Sequence, residues 1–408
     1  MKLRLLWLLP ALLILPLLYV VARPQAEPPR VAFASPGKPA VVPFLLRSNH
    51  ILVRGTVGDS DSLWFIVDSG AGEHVIGKST ASRLGLAVEG GVRALGSGGT
   101  EEAGMTHGMR FRLAGLELGG PFVAVIPLDR IATQMGQACD GVIGFPLFDH
   151  AVVTIDYANS VLRVGPVEGF EYQGRGTALP LTFTEHHPYI EASVTLPGGK
   201  PIPGRYVLDT GSSMALSLSP SFVEHNHALE TMPRTIRARM GGVGGATYSP
   251  IGRVERLDLG PYPVQGPVTS LRPAGPGRIV AENAAGNIGG EILRRFAVTF
   301  DYSRRQVILE PGPTLGDPFE ADMSGLTFQV RDDSTRALEV LWVQPDSPAA
   351  EQGIAAGDVV ATVDSRPVDG RGIAELQEGL RMDGRTVRLG VQRNGKLFER
   401  TLTLRRLI

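Results

Sequence analysis

Leu63-Trp64-Phe65-Ile66-Val67-Asp68-Ser69-Gly70-Ala71-Gly72 and Tyr206-Val207-Leu208-Asp209-Thr210-Gly211-Ser212-Ser213 decide the fold of this chain. Each is an apolar run of strand length that ends in an acid and then in small, turn-forming residues. A carboxylate at the end of a buried strand is costly to desolvate alone. Two in one chain predict a pair that meets, one carboxyl kept protonated by the other. A lone Asp-(Ser/Thr)-Gly is most often an ordinary turn, so the weight falls on what surrounds the two copies.

Those surroundings repeat. Asp68 and Asp209 lie 141 positions apart, and so do Leu118 and Leu259 within Leu116-Glu117-Leu118-Gly119 and Leu257-Asp258-Leu259-Gly260. Between these markers each half has a glycine-rich stretch, Gly96-Ser97-Gly98-Gly99 and Gly241-Gly242-Val243-Gly244-Gly245. Gly141-Val142-Ile143-Gly144 is echoed by Gly286-Asn287-Ile288-Gly289. Each half closes on a hairpin-like stretch, from Val153 through Val164 and from Val298 through Leu309. Five markers in one order describe two copies of one lobe.

Composition sets the limits. The chain has 408 residues, 43% of them hydrophobic, which suits two or three domains with full cores. A net charge of −1 leaves no footprint for nucleic acid. The single Cys139 rules out an intrachain disulfide and reads as a small buried residue. Lys2 and Arg4 precede an apolar stretch from Leu5 to Ala22, so residues 1–22 read as a signal peptide or membrane anchor. The remainder is then extracytoplasmic, secreted or anchored by that segment. Residues 23–41, rich in proline and alanine, read as an extended tether.

The body reads as mainly β: lobe 1 over 42–180, lobe 2 over 181–313, and a break at Pro311-Gly312-Pro313. Short helices are predicted over Lys78–Leu84 and after Ser219-Pro220. Residues 320–408 change style to α+β. Ser347-Pro348 starts a helix that Gly353 ends, and Asn394-Gly395 marks a two-residue hairpin.

Asp68-Ser69-Gly70-Ala71 resembles the retroviral form, and Asp209-Thr210-Gly211-Ser212 the pepsin form, of the aspartic protease active-site loop. Val142-Ile143-Gly144 is similar to the family's second signature, which crosses under that loop; Asn287-Ile288-Gly289 departs from it by a polar first residue. The flap near Arg93 to Thr106 lacks the tyrosine usual in pepsins. Having both copies in one chain resembles the bilobal pepsins, whose lobes need no dimerisation. The resemblance implies a bilobal pepsin-like fold and an aspartic endopeptidase acting on polypeptides, with Asp68 and Asp209 as the catalytic dyad and no metal or cofactor.

Ser347-Pro348-Ala349-Ala350-Glu351-Gln352-Gly353-Ile354, with Gly357-Asp358-Val359-Val360, resembles a PDZ domain of the kind attached to bacterial envelope proteases. That likeness implies a peptide C-terminus held at Gly325-Leu326-Thr327-Phe328 by backbone amides and a strand edge, and a bacterial periplasm or cell envelope as the setting.

Residue types add finer expectations. Gly70 and Gly211 let backbone approach the carboxylates, and Ser69 and Thr210 tie the two loops together through their hydroxyls. Ser212 is expected to donate to Asp209, whereas Ala71 has no hydroxyl for Asp68; this makes Asp209 the more readily ionised member. Asp156 and Asp301 read as turn residues, His74 and Arg294-Arg295 as surface groups. A peptide-binding protein without turnover, or a scaffold working through its PDZ domain, is the alternative function.

Overall fold

The computed structural model describes residues 30–275, 283–331 and 335–408. Residues 1–22, read as a signal peptide or membrane anchor, and the part of the expected tether up to residue 29 lie outside the described residues. Among the described residues no helix is long and apolar enough to cross a membrane.

The two acid-bearing stretches are strands, Leu63–Val67 and Pro201–Asp209. Leu63, Phe65, Ile66 and Val67 are all buried, which is why the run is nearly continuous in apolar residues instead of alternating. In lobe 1, Gly141–Ile143 lies parallel to the acid strand, with Val67 beside Ile143, and antiparallel to Val75–Gly77. Lobe 2 repeats the arrangement: Gly286–Gly289 runs parallel to Pro201–Asp209 and antiparallel to Leu216–Leu218. The predicted short helices form as Lys78–Arg83 and Pro220–His225, the second with Ser219 Oγ accepting from the Phe222 N–H.

A shared antiparallel sheet joins the lobes, in the order Thr177–Pro180, Gln306–Pro311, Phe296–Asp301, Val152–Asp156, Val161–Gly165 and Ala40–Arg47. Val153 faces Phe300 and Ile155 faces Val298, an exchange in which equivalent residues of the two copies swap places. Thr154 and Thr299 meet on this two-fold, hydroxyl to hydroxyl at 2.9 Å. Strand Thr177–Pro180 pairs with Gln306–Pro311, so the chain crosses between lobes inside a sheet instead of through a free linker.

Two segments differ from expectation. Arg30–Phe33, read as tether, is a strand paired antiparallel with Leu116–Gly119. Val31 and Phe33 pack against the lobe core and Arg30 ion-pairs with Glu117 (3.4 Å), so the short alternation has a surface to cover. Arg295, read as a solvated charge, is buried. Its guanidinium donates to the carbonyls of Thr314 (3.1 Å), Asp317 and Pro318 (3.2 Å) and lies 3.5 Å from the centre of the Phe319 ring. The segment after Pro313 is thereby clamped to lobe 2.

The C-terminal unit has its own sheet, running Leu326–Val330, Leu338–Val343, Val359–Val363, Thr386–Arg393 and Lys396–Thr403. Helices Pro348–Glu351 and Ile373–Gly379 accompany it. Ser347 Oγ caps the first by accepting from the Ala350 N–H. Asn394 and Gly395 both adopt positive φ (49° and 77°), forming the predicted two-residue hairpin turn.

Candidate active site

The folding of each lobe ends its acid strand at the two-fold, and the two loops interlock there. Ser69 N–H donates to Thr210 Oγ1 (2.9 Å) and Thr210 N–H to Ser69 Oγ (3.1 Å). The hydroxyls donate onward to backbone carbonyls of the opposite strand: Ser69 Oγ to Leu208 (2.8 Å) and Thr210 Oγ1 to Val67 (2.9 Å). Both side chains are fully buried, so these four bonds satisfy donors that would otherwise cost about 1–3 kcal/mol each.

Within each loop the glycine amide holds its own aspartate: Gly70 N–H to Asp68 Oδ1 (2.7 Å), Gly211 N–H to Asp209 Oδ1 (2.9 Å). Each glycine also faces the other lobe's acid. A side chain begun at Gly70 would stand 2.7 Å from Asp209 Cγ, and one begun at Gly211 would collide with the Asp68 carboxyl. The two carboxyl groups are hydrogen-bonded to one another, and burial, reinforced by the charge of Asp209, pushes the Asp68 carboxyl well above the usual carboxylate range.

The side-chain donor to Asp209 is not Ser212. Ser212 supports its loop through backbone, its N–H reaching the Asp209 carbonyl (3.3 Å) and its own carbonyl accepting from Gly290 (2.7 Å). Asn287 instead donates from Nδ2 to Asp209 Oδ2. The polar misfit in the second signature is therefore part of the site, a signal visible in the comparison of Gly286-Asn287 with Gly141-Val142.

His74, expected at the surface, is buried: its Nδ1 accepts from the Gly144 N–H (3.1 Å) and its ring meets Phe111 edge-on, 5.3 Å between centroids. Burial, with a contribution from His150, brings its pKa down to about 3 and keeps the imidazole neutral. Asp301 accepts from Ser303, Arg304 and Gln306, and Asp156 from Asn159, which are turn interactions away from the dyad.

The glycine-rich stretches are the tips of two long hairpins, Glu89–Gly96 with Gly99–Thr106 and Ile236–Gly242 with Gly245–Arg253. Sequence reading located a flap in lobe 1 only. The structure brings both tips together: Gly98 N–H donates to the Val243 carbonyl (2.9 Å), and Arg272 Nη2 reaches the Ser97 carbonyl (2.8 Å). Gly96 packs on Val243 and Gly242 on Ser97, again an exchange of equivalent positions, so the tips meet on the axis that passes through the dyad.

At the distal candidate site, Gly325-Leu326-Thr327-Phe328, the amides of Gly325 and Leu326 are already engaged. Asp322 Oδ1 accepts from Ser324 N–H (2.9 Å) and Gly325 N–H (2.8 Å), and Ser324 Oγ accepts from Leu326 N–H (3.1 Å). Burial pushes the Asp322 carboxyl up to about 6. Leu326 and Phe328 point into the core, Thr327 is half-buried, and among the described residues strand Leu326–Val330 pairs on one side only.

Residues 53–147 match the aspartyl protease family, and residues 339–393 match the PDZ domain family. The chain carries an aspartyl protease domain and a PDZ domain. The matched part of the protease domain holds Asp68 and the Val142-Ile143-Gly144 crossing strand; Asp209 lies in the second lobe. The chain is similar to the aspartic proteinase from Irpex lacteus, at 14% identity over 68% of this chain and 99% of that one, with a TM-score of 0.45. No curated protein matches it.

Proposed function

We propose that the chain is an aspartic endopeptidase in which Asp68 and Asp209 share one proton and activate water for attack on a peptide bond. The observation that carries this reading is the reciprocal contact of the loops, each glycine lying against the opposite lobe's acid. Two carboxyls so close titrate as a pair, the effect for which aspartic protease dyads are the usual illustration. Asp68, held protonated by burial and by its neighbour, donates to the developing oxyanion; Asp209 takes the proton of the attacking water. The flap tips closing over the same axis shield that water and hold an extended substrate backbone.

The test is cleavage of a denatured protein across a range of acid and neutral pH, with Asp68→Asn and Asp209→Asn prepared separately. Each substitution is expected to lower the rate by about 10²–10⁴-fold. Full cleavage by either variant would sink the shared dyad, and peptide binding without turnover by the unaltered protein would favour the binding-protein reading.

In the same proposal the PDZ domain takes peptide C-termini along the edge of strand Leu326–Val330 left unpaired among the described residues, the terminal carboxylate displacing Asp322 and Ser324 from the Gly325 and Leu326 N–H groups, and so recruits or regulates. Peptides with a free terminal carboxylate should change the cleavage rate where their amidated forms do not. Residues 1–22 direct the protein out of the cytoplasm, which a reporter active only outside it, fused after residue 41, would report.

A further inference from the structure

The two crossing strands occupy matched registers. Val142 lies beside Ile66, and Asn287 beside Val207, each neighbour being two residues ahead of its aspartate. Both are buried, so one lobe fills the slot with an apolar side chain and the other with an amide. The amide is not neutral filling. Its Nδ2 donates to Asp209 Oδ2, while its Oδ1 is buried without a hydrogen-bond partner among the described residues. An orphaned buried acceptor is unfavourable, and a valine of the lobe 1 kind would avoid it. Breaking that local rule makes sense only through what Nδ2 does. With Gly211 on Oδ1, both oxygens of Asp209 receive an N–H. Lobe 1 offers Asp68 no amide side chain at the equivalent place, because Val142 stands there.

We propose that Asn287 is a positioning residue that decides which aspartate of the dyad is ionised: its N–H holds the negative charge on Asp209 and leaves the shared proton on Asp68. A hydrogen bond to the charged form of a carboxyl favours that form; Asp68 has the backbone N–H groups of Gly70 and Gly211 but no side-chain amide. The bond also fixes the plane of the Asp209 carboxylate, and so the direction from which it takes a proton from water. Two further titratable groups bear on the pair: His50, which feels the charge of Asp209, and Tyr302, which feels both aspartates. Burial works against the charged forms of His50 and Tyr302, so the asymmetry falls to the dyad and its donors. The inference rests on the endopeptidase reading for its consequence in catalysis, though not for the titration itself.

The test uses the full chain with Asn287→Val, the residue of lobe 1, and Asn287→Leu, which keeps the size of asparagine without its donor. Two readouts are taken: the pH profile of kcat/KM on a denatured protein, and the carbon-13 NMR titration of the aspartate carboxyls. Both variants should move the acidic limb, and the first ionisation of the dyad, upward by about one pH unit, with about a 10-fold loss of rate below the limb. Should neither fold, Asn287→Ser, too short to reach Oδ2, carries the same titration. An identical first ionisation in the unaltered protein and its variants overturns the proposal. If the unaltered protein cleaves nothing, the endopeptidase reading fails, and the carbon-13 titration still decides the role of Asn287.

Discussion

Asp68 carries a consequence for stability that is independent of any substrate. Its carboxyl is held above the ordinary value of 3.8 in the folded protein, first by burial and then by Asp209. The folded state therefore keeps a proton that the unfolded chain releases as pH rises past that value. Stability contributed by this proton is complete below 3.8 and is lost as pH climbs through the raised folded value. Asp68→Asn removes the titration while leaving an oxygen for the Gly70 N–H. Its melting temperature should exceed that of the unaltered protein at neutral pH, and the gap should close toward pH 4. Thermal unfolding followed by circular dichroism at several pH values measures this; a gap that widens on acidification would contradict the assignment. The aspartates themselves were legible because an acid at the end of an apolar strand is unusual and the repeat doubles it. Ser69 and Thr210 followed from residue type. The donor to Asp209 was read as Ser212 because adjacency in sequence is visible, whereas the contact of Asn287 is made by a strand 78 positions away.

Among elements, the strands were readable because apolar runs and turn residues mark them locally, and the hairpin at Asn394-Gly395 and the caps at Ser219 and Ser347 follow from local chemistry. What escaped depends on partners far along the chain. An arginine is ordinarily exposed, and only the assembled carbonyls of Thr314, Asp317 and Pro318 make Arg295 a buried clamp. Glycine-rich tips likewise carry no mark of the partner they will touch. Their contact predicts a separable effect. Gly98 meets the backbone of Gly245, so Gly98→Ala forces the tips apart without touching the dyad. The hairpins lie at the margins of their sheets, where local opening costs little global stability. Under the endopeptidase reading, kcat/KM should fall on the order of 10-fold or more through KM, with unfolding free energy changed by about 0.5 kcal/mol or less. Urea unfolding beside peptide cleavage separates the two; an unchanged KM would show that the tips do not hold substrate.

At the scale of the whole molecule the units are distinguished by their cores. One hydrophobic cluster runs from Ala40 of lobe 1 to Phe319 beyond lobe 2, passing through the shared sheet at Ile155, Val298 and Phe300. The PDZ domain has a separate cluster around Leu338, Val360, Leu389 and Leu402. Contacts between the two bodies include the Arg47–Glu375 pair at 3.0 Å, Arg381 beside the buried Glu291 at 3.8 Å, the Arg237 N–H on Gln344 Oε1 at 2.9 Å, Ile408 against the lobe core, and the close approach of Gly136 to Gly370 and Ile373. An exposed ion pair contributes about 0–1 kcal/mol, far less than a core. The lobes should therefore melt as one unit, despite being two copies, and the PDZ domain as another. Ile155→Ala and Leu389→Ala each empty a fully buried site and should each cost about 2–5 kcal/mol. In calorimetry of the full chain, the first should lower only the transition of the paired lobes and the second only that of the PDZ domain. For a domain of PDZ size, each kcal/mol corresponds to about 4–8 °C, so the shift is readily resolved. A single transition lowered by both substitutions would mean that the small interface couples the bodies more strongly than its side chains account for. Independent melting instead leaves the PDZ domain free to move on and off the paired lobes without unfolding them, as the proposed recruitment of substrate by that domain requires.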